Sequence, residues 1–71
     1  MDKDSFIGKY RHYKGNEYEV LGEATHTETE ERLVVYRALY EPYALWVRPY
    51  DMFFETVTVN GEVVPRFNKI G

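Results

Sequence analysis

The chain has 71 residues, enough for one domain and too few for a second. With no cysteine, neither a disulfide nor a thiolate metal site can brace it. A formal charge of −3 argues against a dedicated nucleic-acid binder, whose field is ordinarily basic. What remains is aromatic content: seven Tyr, four Phe and one Trp. Rings bury much area per ordered side chain, which suits a core too small to hold itself together otherwise. No apolar run approaches the ~20 residues of a membrane span, and Met1-Asp2-Lys3-Asp4-Ser5 has no apolar signal segment. Together with the missing cysteine, this leads us to expect a cytoplasmic protein.

Taken in chain order, residues 1–7 read as a polar lead-in to a single domain over residues 8–71, with Phe6 and Ile7 covering one end of the core. Residues 9–13 form a first strand, and Lys14-Gly15-Asn16-Glu17 a tight turn. Residues 18–25 form a second strand, with Gly22 marking a bulge or sharp bend. His26 to Glu31 is a polar, acidic connection whose threonines could extend both flanking strands as a twisted ribbon.

Residues 33–40 are the stretch around which the rest is arranged. Leu33, Val35, Arg37 and Leu39 share one face; Val34, Tyr36, Ala38 and Tyr40 share the other. Two largely apolar faces predict a strand in the middle of a sheet that curls over itself, with neither side in water. A helix is excluded by the β-branched and aromatic composition, by Pro42 and by the lack of a cap. The chain returns through Glu41-Pro42-Tyr43-Ala44 to a short strand over residues 45–49, then has room for one helical or 3₁₀ turn at residues 50–53. Residues 54–59 alternate again, Asn60-Gly61 is a strong hairpin signal, and Glu62-Val63-Val64 pairs back. Pro65 then limits further pairing, leaving Arg66-Phe67 to pack locally.

The result is an all-β domain of five to six short strands with one 3₁₀ turn, most simply a small SH3-like barrel. An oligonucleotide-binding barrel is the alternative, but it requires a helix where only four residues connect strands three and four.

Several stretches, in order, resemble a small bacterial family, domain of unknown function 1653. They are Gly8-Lys9-Tyr10-Arg11-His12-Tyr13-Lys14-Gly15-Asn16, Ala24-Thr25-His26-Thr27-Glu28-Thr29, Val34-Val35-Tyr36-Arg37-Ala38-Leu39-Tyr40 and Leu45-Trp46-Val47-Arg48-Pro49, with Met52-Phe53 and Pro65-Arg66-Phe67 completing the match. The resemblance covers residues 8–67. It implies an SH3-like barrel of bacterial origin and carries over no activity, catalytic residue or cofactor.

The chemistry-bearing residues are few. Ser5 is the only serine and sits in the lead-in, where nothing would hold it against a base. If residues 26–30 were extended, His26, Glu28 and Glu30 would share a face, so His26 and Glu28 are the residues to inspect for a metal; the alternative is a solvated ribbon of Thr and Glu. No cofactor-binding motif is present. The more distinctive set is aromatic and basic: Tyr36, Tyr40, Trp46, Arg48 and His12. Rings flanked by a guanidinium can line a groove for a peptide, or they can simply be core. The sequence therefore points to a non-enzymatic protein- or peptide-binding module, monomeric or homodimeric. A nucleic-acid binder using Lys9, Arg11 and Lys14 is one alternative, and an enzyme or metal-binding accessory using His26 and Glu28 another.

Overall fold

The computed structural model describes residues 6–71; the expected lead-in over residues 1–5, including Ser5, lies outside the described residues. Seven strands and one helical turn follow one another: β1 (Gly8–His12), β2 (Glu17–Thr25), β3 (Arg32–Ala38), β4 (Leu45–Pro49), α1 (Tyr50–Phe53), β5 (Thr56–Val59), β6 (Glu62–Pro65) and β7 (Phe67–Lys69). The first sheet is antiparallel with order β4-β3-β2-β1-β7, and β5 and β6 form a separate hairpin. The all-β, SH3-like expectation holds, with the ladder left open between the β4 and β7 edges. The single helical turn is α rather than 3₁₀, and the extra strand is β7, which pairs with β1.

A simple parity rule builds the core. In β1, β2 and β3 the even-numbered residues point inward: Tyr10, Val20, Val34, Tyr36 and Ala38 are buried. Phe53 from α1 and Phe67 from β7 fill the space they enclose. Phe53 and Phe67 lie flat on one another, centroids 4.1 Å apart and planes within 3°. Tyr10 and Tyr36 meet Phe53 edge-on at 5.5 and 5.2 Å, and Phe6 caps one end against Phe54 and Tyr50. Edge-to-face contacts place the positive ring rim on the negative ring face, so each adds to the burial.

Gly22 does mark a bulge. Val20 pairs with Tyr36 and Gly22 with Val35, leaving Leu21 as the additional residue. The bulge reverses the parity of the rest of β2. Glu23, not Ala24, now faces the core side opposite Val34, at the end of the sheet, where Arg32 donates to it through Nε and Nη2 at 2.8 and 3.1 Å. Asn60-Gly61 forms the expected tight turn, with φ of 52° and 82° at the two positions and Val59 opposite Glu62. Gly8, at φ 144°, is required for a second reason: a Cβ there would lie 2.3 Å from the Gly71 carbonyl oxygen.

Three expectations need correction. The central strand is not covered on both faces: Leu33, Val35 and Arg37 stay half-buried, and Leu45, Val47 and Leu21 beside them are exposed. The strand also ends at Ala38, because Leu39 donates its N–H to Glu17 and residues 40–43 fold into a turn closed by Tyr43 N–H to Tyr40 C=O. Residues 26–31 are a turn, not an extended ribbon; His26 N–H donates to Glu31 C=O and Glu30 N–H to His26 C=O, each at 2.8 Å.

Replacing Phe53 with Ala should cost about 3–5 kcal/mol, the whole stability of a core this size. Urea unfolding of Phe53→Ala is therefore expected to show no folded baseline. A variant that unfolds cooperatively near the wild-type midpoint would show that the ring stack does not hold the fold.

Candidate functional site

The five residues singled out from the sequence do not form one groove. Tyr36 is 4% exposed and belongs to the core. It lies beside Tyr18, Phe53 and Phe67, since its even position in β3 turns it inward with Val34. Tyr40 is partly exposed, yet its ring rests against Tyr18 and the two hydroxyls are 3.0 Å apart. Burial first, and then that hydrogen bond, push the Tyr18 phenol up to about 12. His12 is half-buried among Tyr13, Tyr18 and Phe67. Its Nδ1 accepts the Lys14 N–H at 3.1 Å, which fixes Nε2 as the protonated nitrogen of the neutral ring.

Trp46 and Arg48 are set apart from this ring cluster. They lie on β4, at the edge of the sheet, opposite Tyr36 and Val34 respectively and therefore on the core side of the sheet. Trp46 is 50% exposed, and no ring among the described residues pairs with it. Arg48 has no carboxylate partner among the described residues, whereas Arg11, Arg32 and Arg66 each have one, in Glu17, Glu23 and Glu55. Leu45 and Val47, on the opposite face of the same strand, are 58% and 57% exposed. Three consecutive apolar side chains are thus left facing water on an edge strand.

Two concavities lie elsewhere. One, of about 470 Å³, runs between the β1–β2 turn and the β5–β6 hairpin, lined by Arg11, His12, Tyr13, Asn60, Val64 and Asn68 among others. It holds a histidine and, in Glu62, a carboxylate, but neither Ser nor Lys. Burial, followed by the positive charges of Arg66, Lys14 and Arg48, lowers the His12 pKa below its ordinary 6.5. The other, of about 480 Å³, is bounded by Arg32, Pro49, Tyr50, Asp51 and Met52. The Arg32 guanidinium sits 3.7 Å from the Tyr50 ring centroid and is already committed to Glu23.

His26 and Glu28 are not arranged as ligands. The His26 Nδ1 accepts the N–H groups of Glu28 and Thr29 at 3.1 and 3.3 Å, so the nitrogen that a metal could use closes the turn instead. Among the described residues no three His, Asp or Glu side chains are gathered as a metal site would need. No helix among the described residues is long and apolar enough to cross a membrane.

Sheet order, bulge and ring-filled interior together define a small SH3-like all-β domain. The sequence of residues 8–69 matches the family described as a protein of unknown function, DUF1653, and the chain belongs to that family. A solved crystal structure of a DUF1653 protein from Bordetella bronchiseptica is similar over 92% of this chain and 86% of that one, with 40% identity and a TM-score of 0.85. No curated protein matches.

Two measurements check the histidines. His12 has a folded pKa below its unfolded one, so it stabilises the fold above pH ~6.5, and that contribution is lost as pH falls through the lower, folded value. An NMR titration should find His12 half-protonated below pH 6.5, and His12→Gln should flatten the fall in stability just below that pH; a His12 midpoint above 6.5 would refute the burial and cationic surroundings described. At the other turn, His26→Ala should lose about 0.5–2 kcal/mol by analogy with other side-chain caps, and His26→Asn, which keeps an acceptor, should lose less. Equal losses would show that the Nδ1 contacts contribute nothing.

Proposed function

We propose that the domain is a non-enzymatic protein- or peptide-binding module working in the cytoplasm, with its contact surface centred on Trp46 and Arg48. The observation that carries this reading is the half-exposed indole of Trp46, among the described residues the one ring on the core side of the sheet that its neighbours leave unpacked. In a chain that buries or pairs its other core-side rings, leaving the largest in water has a cost that a ligand would recover. Trp and Arg are also the residues that dominate contact energies at protein interfaces. A bound segment would lay an apolar or aromatic side chain on the indole and a carboxylate on the Arg48 guanidinium.

The alternatives are less well supplied. For nucleic acid, Arg11 of the basic stretch Lys9, Arg11 and Lys14 is already paired with Glu17 at 2.9 Å. For catalysis, His12 lines a groove whose described residues include no Ser, Thr, Cys or Lys. The lack of cysteine suits a reducing compartment.

Selection of binders from a displayed library of random peptides tests the proposal. Trp46→Ala should retain the thermal unfolding of the parent and weaken the selected peptides at least about tenfold. Unchanged affinity would move the contact surface elsewhere, and an unfolded Trp46→Ala would make the indole a structural residue.

A further inference from the structure

We infer that the free edge of β4 is a seam for a second copy of this chain, joined antiparallel about a twofold axis through Trp46. The argument starts from the hydrogen-bond parity of the strand. Ala38 N–H donates to Ala44 C=O at 3.0 Å. Ala44, Trp46 and Arg48 therefore turn their backbone groups toward β3, because such pairs alternate along an antiparallel ladder. The N–H and C=O of Leu45 and Val47 point the other way, out of the sheet, and no described residue bonds to them. Arg48 on the core side and Pro49 at the strand's end blunt one end of this edge. Leu45, Trp46 and Val47 leave its first three positions apolar and exposed, and such an edge is one that proteins ordinarily cover.

Only one register of self-pairing satisfies all four groups. With Leu45 opposite Val47 of the second copy, each of the two residues exchanges both of its bonds. Placing Val47 opposite Val47 sets Leu45 against Pro49, which has no N–H. Placing Leu45 opposite Leu45 sets Val47 against Tyr43, whose φ of 58° is not extended. The favoured register is also the one that suits the side chains. Trp46 meets its own counterpart in a non-hydrogen-bonded pair, the position where cross-strand rings approach closest. Leu45 and Val47 alternate across the seam on the outer face, beside half-buried Arg37 and Val35. Along the seam Arg48 faces Ala44 rather than another Arg48, so like charges on the strand are kept apart.

A single strand pair buries less than the ~1,200 Å² of a permanent complex, so the association should be reversible. It does not rest on the peptide-binding proposal, although both use Trp46, and it is tested with no peptide present. Sedimentation and hydrogen exchange, each run from about 10 µM to 1 mM, test it on the intact chain. The mass should rise from 8.5 kDa toward twice that value, with the Leu45 and Val47 amides gaining protection over the same range. Val47→Pro removes only an outward N–H, so it should leave the β3–β4 ladder intact and hold the chain at 8.5 kDa. Should that variant not fold, Leu45→Lys places a charge at the seam and should have the same effect. A wild-type mass fixed at 8.5 kDa would overturn the inference. So would exchange of the two amides that does not depend on concentration, protection that appears only when a peptide is added, or association by either variant equal to wild type.

Discussion

The parallel stack of Phe53 on Phe67 is the contact on which the rest of the domain depends. These two rings both come from the second half of the chain, one from a single helical turn and one from the short strand that closes against β1. Tyr10, Tyr18 and Tyr36 reach them from three adjacent strands. The stack joins the β1–β7 ladder in tying the last third of the chain to its first. Because the core is made of rings, even the short strands β1 and β7, of five and three residues, contribute to it, each with one buried ring, Tyr10 and Phe67.

That economy explains what is left outside. The core-side parity of β1, β2 and β3 supplies enough rings to fill the interior before β4 is reached. Trp46 has the same parity relation as Tyr36 but lies one strand further out, where no ring remains to pack against it. Arg48, two residues on, occupies the same outer row. The surface proposed for ligand binding is therefore a by-product of where the core stops, and the proposed self-association uses the backbone of that same final strand.

Much of the fold was legible because local chemistry and tertiary structure agree. Asn60-Gly61 specified its turn, Gly22 its bulge, and the β-branched run at residues 33–38 its strand. The candidate site was less legible. Alternation assigned Tyr36 and Trp46 to particular faces of their strands, but not to a central or an edge position in the sheet. That depends on strand order, which is a long-range property. The turn at residues 26–31 was missed because its backbone hydrogen bonds are supported by side-chain acceptors, His26 Nδ1 and Thr29 Oγ1, that composition does not reveal, whereas Thr and Glu favour extension. β7 was missed for a similar reason: Asn68 and Lys69 carry no strand propensity, and they pair because β1 offers a free edge.

The account turns on rings being inside and one indole being out. The most direct test is quenching of Trp46 fluorescence by a neutral, water-soluble quencher in dilute, folded protein. The account predicts quenching close to that of the same residue in the unfolded chain, with little change in emission on unfolding. A shielded indole whose emission shifts strongly to longer wavelength as the chain unfolds would contradict it.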